Sequence, residues 1–263
     1  MISTTNNNQS NQHLNIPFQI KPWAVFLWLA IWQIASQWIG EPILLVSPIM
    51  VIKRLFELIL TSSFWYSILF SLSRIATGFF CGVLTGSLLA VLSYRYKYIL
   101  ELLTPLILIT KTIPVASFII LVLIWVSSKN LSILISFIMV LPIIYTNVFS
   151  GIASTDKELL EMAQVFSLSS WKKIRYIYLS QILPFFQSAC SLSLGLCWKA
   201  GIAAEVIGIP ADSIGEKLYN AKIYIDTADL FAWTIVIIII SIFFEKLIST
   251  LLNLLVERLE RIS

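Results

Sequence analysis

Long apolar runs alternate with short polar stretches along this chain. Residues 23–40, 65–93, 99–126, 131–149, 183–207 and 231–255 are predominantly apolar, and each comes close to or exceeds the ~20 residues a helix needs to cross a ~30 Å hydrocarbon layer. The pattern predicts an all-α integral membrane protein with about six transmembrane helices. An even number puts both termini on one side. Gly78, Gly82 and Gly86, spaced by four, predict a close helix crossing. Pro105 and Pro114 favour bends in the third segment, and Pro142 an interruption of the fourth. Between the first two segments, Ile49, Ile52, Leu55, Phe56 and Ile59 read as an amphipathic helix lying along the membrane surface. Residues 1–20, rich in Asn, Gln, Ser and Thr, have neither a charged leader nor an apolar run and are expected to be a disordered tail. That leaves 21–263 as one transmembrane domain.

The one long polar interruption is Gly151 to Pro184. Thr155 followed by Glu158 has the form of a capping box and predicts a helix start. Leu159, Met162, Ala163 and Phe166 then recur at i, i+3, i+4, i+7 as one apolar stripe, with Lys157, Glu161 and Gln164 largely elsewhere around the helix. The period breaks at Ser167. Ser169 or Ser170 is placed to cap a second helix, with Trp171, Ile174 and Tyr178 on one face and Lys172, Lys173 and Arg175 interleaved. Two short amphipathic helices joined by a turn are expected. A merely solvated charged loop is the bland alternative, and the capping and double periodicity argue against it.

Composition narrows the class further. With 58% hydrophobic and 12% charged residues and a mean hydropathy of +0.89, the chain lies outside soluble domains, about a quarter of whose residues are charged. A net charge of +4 with no basic, aromatic-studded face gives no sign of a nucleic-acid partner. Cys81, Cys190 and Cys197 sit in apolar segments and read as small hydrophobes rather than disulfide partners. The single His13 leaves no material for a histidine metal site. No phosphate-cradling G-x-x-x-x-G-K-[ST] loop is present, and no cluster of catalytic groups stands out.

The distribution of positive charge sets the orientation. With the amino terminus inside, ten Lys and Arg (21, 95, 97, 157, 172, 173, 175, 246, 258, 261) fall on the inner side and five (53, 54, 129, 217, 222) on the outer. The excess places Gly151 to Pro184 and both termini in the cytoplasm of a multi-pass plasma-membrane protein. The acids at 212, 216, 226 and 229 then lie outside, where a docking surface for an extracytoplasmic partner is a better use than a calcium site.

The polar stretch resembles the EAA loop of the membrane subunits of binding-protein-dependent ABC importers, roughly E-A-A, three residues, G, nine residues, I-x-L-P. Here it reads Glu161-Met162-Ala163, Ser167, Ile177-Tyr178-Leu179-Ser180, with Met162, Ser167 and Ser180 departing from the pattern. Lys111-Thr112-Ile113-Pro114 and Ala203-Ala204-Glu205 are similar to stretches of the nitrate, sulfonate and taurine branch. The resemblance implies a type I permease fold whose loop fits a groove on a separate cytoplasmic ATPase. Coupling would fall to Thr155, Glu158, Glu161, Met162, Ala163, Phe166, Ser167, Trp171 and Pro184. Two ATPase subunits would hydrolyse ATP below, a substrate-binding protein would deliver cargo above, and this chain would bind no cofactor. A second permease copy, as a homodimer or as a heterodimer with a related chain, would complete the pathway through the bilayer.

Charges inside the spans are functional candidates, since an unpaired charge at the bilayer centre is costly. Lys111, Lys199 and Glu205 are the pathway candidates, and the two lysines would favour an anion such as nitrate, a sulfonate or a taurine-like solute. A buried Lys111–Glu205 ion pair is the structural alternative. Arg74, nearer a span end, reads as an interfacial anchor. A secondary transporter or channel would have to use Glu205 for its coupling ion.

Overall fold

The computed structural model describes residues 21–260, without the side chains of Leu255 and residues 257–260. The tail expected at 1–20 lies outside the described residues. Regular structure among the described residues is helical: α1 (Pro22–Ile39), α2 (Pro48–Ile59), α3 (Ser62–Arg95), α4 (Lys97–Thr112), α5 (Val115–Val122), α6 (Ser128–Ala153), α7 (Lys157–Val165), α8 (Ser170–Lys173), α9 (Leu179–Gly208), α10 (Ile214–Ile223) and α11 (Thr227–Glu260). A π turn, Ile174–Tyr178, joins α8 to α9, so that Ser170–Gly208 is a single helix of 39 residues.

Among the described residues, four helices are long and apolar enough to cross a membrane: α3, α6, α8–α9 and α11. The pair α4 and α5, bent by 109° where Ile113 and Pro114 separate them, has the length and composition of a fifth only when the two are taken together, as a broken span or a re-entrant loop. The first expected span, α1, is not among them: it has 18 residues, but Trp23, Trp28, Trp32, Trp38, Gln33 and Gln37 dilute its apolarity. Pro114 breaks its helix as expected. Pro105 and Pro142 do not, since each lies inside a continuous helix. Such a proline removes one N–H while the flanking ladder carries on, and neighbouring helices and side chains hold the rest.

The core is the packing of α3, α6 and α9. A Cβ added at Gly78 would lie 2.4 Å from the Ile133 carbonyl oxygen, one at Gly82 2.8 Å from Val140 Cβ, and one at Gly86 3.0 Å from the Leu141 carbonyl oxygen. The glycine stripe therefore brings α3 backbone to backbone with α6. Ile75, Phe79, Ile144, Leu194 and Trp198 fill the space between the three helices and are fully buried. Phe244 of α11 closes this core edge-on, with ring centroids 5.9 Å from Trp198 and 6.1 Å from Phe79.

The surface helix α2 has two apolar sides. Ile49, Ile52 and Phe56 of the expected stripe are exposed, while Val51, Leu55 and Leu58 pack towards α11. An ion pair ties α2 to α11. Arg54 on the inner flank reaches Asp229 in the first turn of α11 at 2.5 Å and Glu57 at 2.9 Å, and these carboxylates push the guanidinium still further above its ordinary range. The exposed apolar side is what a helix resting on lipid presents.

The glycine contact yields a direct test. Gly78→Ala forces a methyl against a backbone carbonyl that cannot swing aside, and overpacking of this kind costs about 1–3 kcal/mol. Thermal unfolding of the purified protein should move down by several degrees. Gly195→Ala, at a site with nothing within 4 Å, should leave the midpoint in place.

Candidate functional site

The polar stretch begins later than its sequence suggests, because α6 runs to Ala153. Thr155 is buried and its hydroxyl donates back to the Gly151 carbonyl at 3.4 Å, so it finishes α6 and does not start α7. The cap is Asp156, whose Oδ1 accepts from Glu158 N–H at 2.9 Å. This replaces the expected Thr155–Glu158 capping box, since the carboxylate one residue further on is free to serve and carries the charge that a helix N-terminus favours. Glu158 adds a second negative charge in the first turn. The N–H of Asp156 itself donates to Gln181 Oε1 at 2.9 Å, tying the start of α7 to α9.

At its other end α7 closes in a Schellman motif. Leu168 N–H donates to the Ala163 carbonyl at 2.9 Å and Ser167 N–H to the Gln164 carbonyl at 3.0 Å, the two bonds that define it. Ser167 takes φ 51°, the left-handed position where the importer pattern has glycine. The turn survives without Gly because both orphan carbonyls are satisfied.

The expected apolar stripe divides into two. Ala163 is fully buried and Leu159 half-buried against the chain's own body. Met162, Val165 and Phe166 are 48%, 81% and 71% exposed, and Trp171 is 70% exposed. Glu161 is exposed beside them. The second expected helix is not separate. Ser169 makes no capping bond, and α8 passes through the π turn into α9, carrying Pro184 inside it as an exposed residue. A short capped helix with apolar side chains turned outward thus stands on the end of a long rigid one.

The charged candidates within the spans fall on two sides of α9. Lys111 is in the last turn of α4, just before the break, and donates to Thr146 Oγ1 of α6 at 3.3 Å. Lys199 lies on the exposed side of α9 and lines an open cleft of about 260 Å³ with Val115, Ala116, Met139, Leu196 and Ala203. Val115 and Ala116 are the first residues of α5, so both lysines flank the broken helix. Towards the N-terminal end of α9 from Lys199, the same side exposes Pro184, Ser188 and Ser191.

Glu205 is elsewhere. It is fully buried, accepting from Ser71 Oγ at 2.6 Å and from Gly215 N–H at 3.3 Å. The Lys111–Glu205 ion pair weighed from the sequence is not made: Glu205 is engaged inside the core by Ser71 and Gly215, while Lys111 at the end of α4 donates to Thr146. Arg74 also has a packing role: it donates to the Lys129 carbonyl and, at 3.1 Å, to Asn130 Oδ1, clamping α3 to the start of α6. Ser71, Thr146, Asp156, Gln181 and Gly215 escaped the sequence reading. Only Asp156 carried a local signal, as an acid two residues before Glu158 at a helix start.

Comparison with known proteins gives one family. The profile described as "Binding-protein-dependent transport system inner membrane component" matches residues 82–261. A protein of Bacillus subtilis named as an aliphatic sulfonates transport permease is 27% identical over 88% of this chain and 83% of its own. A nitrate import permease of Synechocystis is 25% identical over 89% and 87%, and a formylaminopyrimidine transport permease of Halalkalibacterium halodurans 25% identical over 72% and 76%.

The left-handed Ser167 carries its own consequence. A non-glycine residue in that region costs about 1–2 kcal/mol, and glycine removes most of this. Ser167→Gly should slow amide exchange at Leu168 and leave α7 in place, whereas Ser167→Val should accelerate it.

Proposed function

The chain belongs to the family of inner membrane components of binding-protein-dependent transport systems, and on that premise we propose how this permease couples and what it carries. It is the membrane subunit of an ABC importer. The observation that carries the coupling proposal is the exposure of Met162, Val165, Phe166 and Trp171 on a capped, Schellman-closed segment between two spans. Apolar side chains held this firmly in a polar stretch suit a groove on a second protein.

That protein is the cytoplasmic ATPase, present in two copies, which hydrolyses the ATP; this chain holds no nucleotide. The excess of Lys and Arg on the loop's side supports a cytoplasmic position for it and for both termini. A substrate-binding protein docks on the opposite face, and a second copy of the permease closes the pathway, a twofold arrangement that needs only one self-complementary surface. Residues 1–20 form a cytoplasmic tail to the transmembrane domain.

The pathway runs along the broken helix. Lys111, at the C-terminal end of α4, and Lys199, in the cleft beside the start of α5, give it a positive potential in both copies, which favours an anion. The names of the sulfonate and nitrate relatives point the same way, and a small oxyanion or sulfonate is the proposed cargo. A secondary transporter using Glu205 is the weaker reading, because that carboxylate is engaged by Ser71 and Gly215 inside the core and has no open route to either side.

Met162→Asp or Phe166→Asp should leave the protein inserted but separate it from the ATPase. Removing an interface anchor costs about 2 kcal/mol, roughly a 30-fold loss of affinity. Ala163→Asp differs, since it buries a carboxylate within the chain and should destabilise the loop itself. Co-purification of the ATPase at wild-type strength with both exposed-site variants would remove the coupling assignment.

For the pathway, Lys199→Ala should cut uptake of the anion while sparing assembly, and Lys199→Arg should retain more uptake than Lys199→Glu. Equal uptake by all three variants at equal expression would take Lys199 out of the pathway.

A further inference from the structure

At the end of α9 remote from the loop, three first-turn N–H groups of α10 are each satisfied by a different element. Ile214 N–H donates to Ser71 Oγ of α3 at 2.9 Å, Gly215 N–H to Glu205 Oε2 of α9 at 3.3 Å, and Glu216 N–H to its own cap, Ser213 Oγ, at 2.9 Å. Ser71 Oγ in turn donates to Glu205 Oε2 at 2.6 Å. A helix N-terminus, its positive end, is thus seated on a buried carboxylate.

The seat is close and specific. A Cβ at Gly215 would lie 2.3 Å from Glu205 Cβ and 2.5 Å from Val206 N, so α10 meets the backbone of α9 directly. The other oxygen, Glu205 Oε1, lies buried next to the hydroxyl of Ser132. Three residues bracketing α10 are held in the left-handed region without being glycine: Ile209 at φ 47°, Asp212 at 65° and Ile225 at 56°. Such conformations persist only where surrounding contacts over-determine them. The α10 segment is therefore pinned by Glu205 and Ser71 against its own backbone preference.

From this geometry, and resting on the importer reading above, we infer that Glu205 is a positioning residue for transport: it locks α10 to α9 so that displacement of α10 by the docked binding protein moves the ATPase-coupling loop. The link is one helix. Ser170–Gly208 runs 39 residues without a break, ~58 Å at 1.5 Å per residue, from the coupling segment to the carboxylate seat. Lys222, Ile223, Tyr224 and Ile225 at the far end of α10 are exposed, the surface a docked partner would meet.

The test uses the complete complex, permease with its ATPase in lipid vesicles, with and without binding protein. Two quantities are read: amide exchange at Ile214 and Gly215, and the ratio of stimulated to basal ATP hydrolysis. Glu205→Ala should raise exchange at both amides about 10-fold and lower the ratio about 10-fold, within the 5–150-fold range of typical coupling between sites. Glu205→Gln keeps an acceptor for Gly215 and gains a donor for Ser132, so it should restore most of both. Faster exchange with an unchanged ratio overturns the inference, and so does a parallel fall of basal and stimulated rates, the mark of a merely structural residue. If Glu205→Ala fails to assemble, Ser71→Ala, which deletes one hydroxyl, should move both readouts in the same direction by a smaller factor; unmoved readouts overturn the inference. A wild-type complex that ignores binding protein overturns the importer reading instead, and the exchange arm still decides whether Glu205 holds α10.

Discussion

The approach of α3 to α6 through Gly78, Gly82 and Gly86 is the contact on which the remaining architecture depends. Lipid tails are as apolar as leucine, so two spans gain little from hiding apolar side chains from each other, and close van der Waals packing must supply the affinity. Three missing side chains at intervals of four let the backbones meet. Gly201 repeats the device on α9, where a Cβ would fall 2.7 Å from both Ile75 Cγ1 and Ser136 Oγ. The three helices become one rigid body, and the polar segments at either end inherit fixed positions from it.

That rigidity separates what must stay still from what is free to move. The pair α4 and α5 is broken at Ile113 and Pro114 and has Lys111 at the break. Pro114 has no N–H to give the preceding turn and disfavours the helical region for Ile113, so the hydrogen-bond ladder is interrupted there. A free helix end at membrane depth is tolerated where it lines a cavity or is covered by protein. The open cleft bounded by Val115, Ala116 and Lys199 meets that condition.

Much of this was legible in the sequence, and the failures have local causes. The long apolar helices α3, α6, α9 and α11, the glycine crossing and the position of the polar segment followed from composition and period, signals summed over many residues. Single-residue decisions were harder. Thr155 and Asp156 are both good caps, and only the overrun of α6 to Ala153 decides between them. The stripe of Leu159, Met162, Ala163 and Phe166 is a true helical face at its spacing, yet two surfaces compete for it. The chain's own body takes Ala163, and Met162 and Phe166 remain outside. Glu205 was found as a charge in a span, but its partners Ser71 and Gly215 are 134 and 10 residues away and carry no charge to betray them.

The polarity of exposed faces then decides which sides of the chain meet lipid. The outward side of α11 presents Ile238, Ile239, Ile242, Phe243 and Leu247, a surface that hydrocarbon solvates without loss. The outward side of α9 is mixed: Ser188, Ser191 and Lys199 are exposed there together with Leu192 and Leu196, and Gly195 between them has nothing packed on it. Facing lipid, the ammonium would have to snorkel or remain unpaired at a depth where a charge is costly. Facing water or a second copy, it is solvated, and the small residues beside it leave room for a close neighbour. The same helix therefore has its core side fixed by Trp198 and Glu205 and an open side that carries Lys199, so its two charged residues, six positions apart, sit in opposite surroundings.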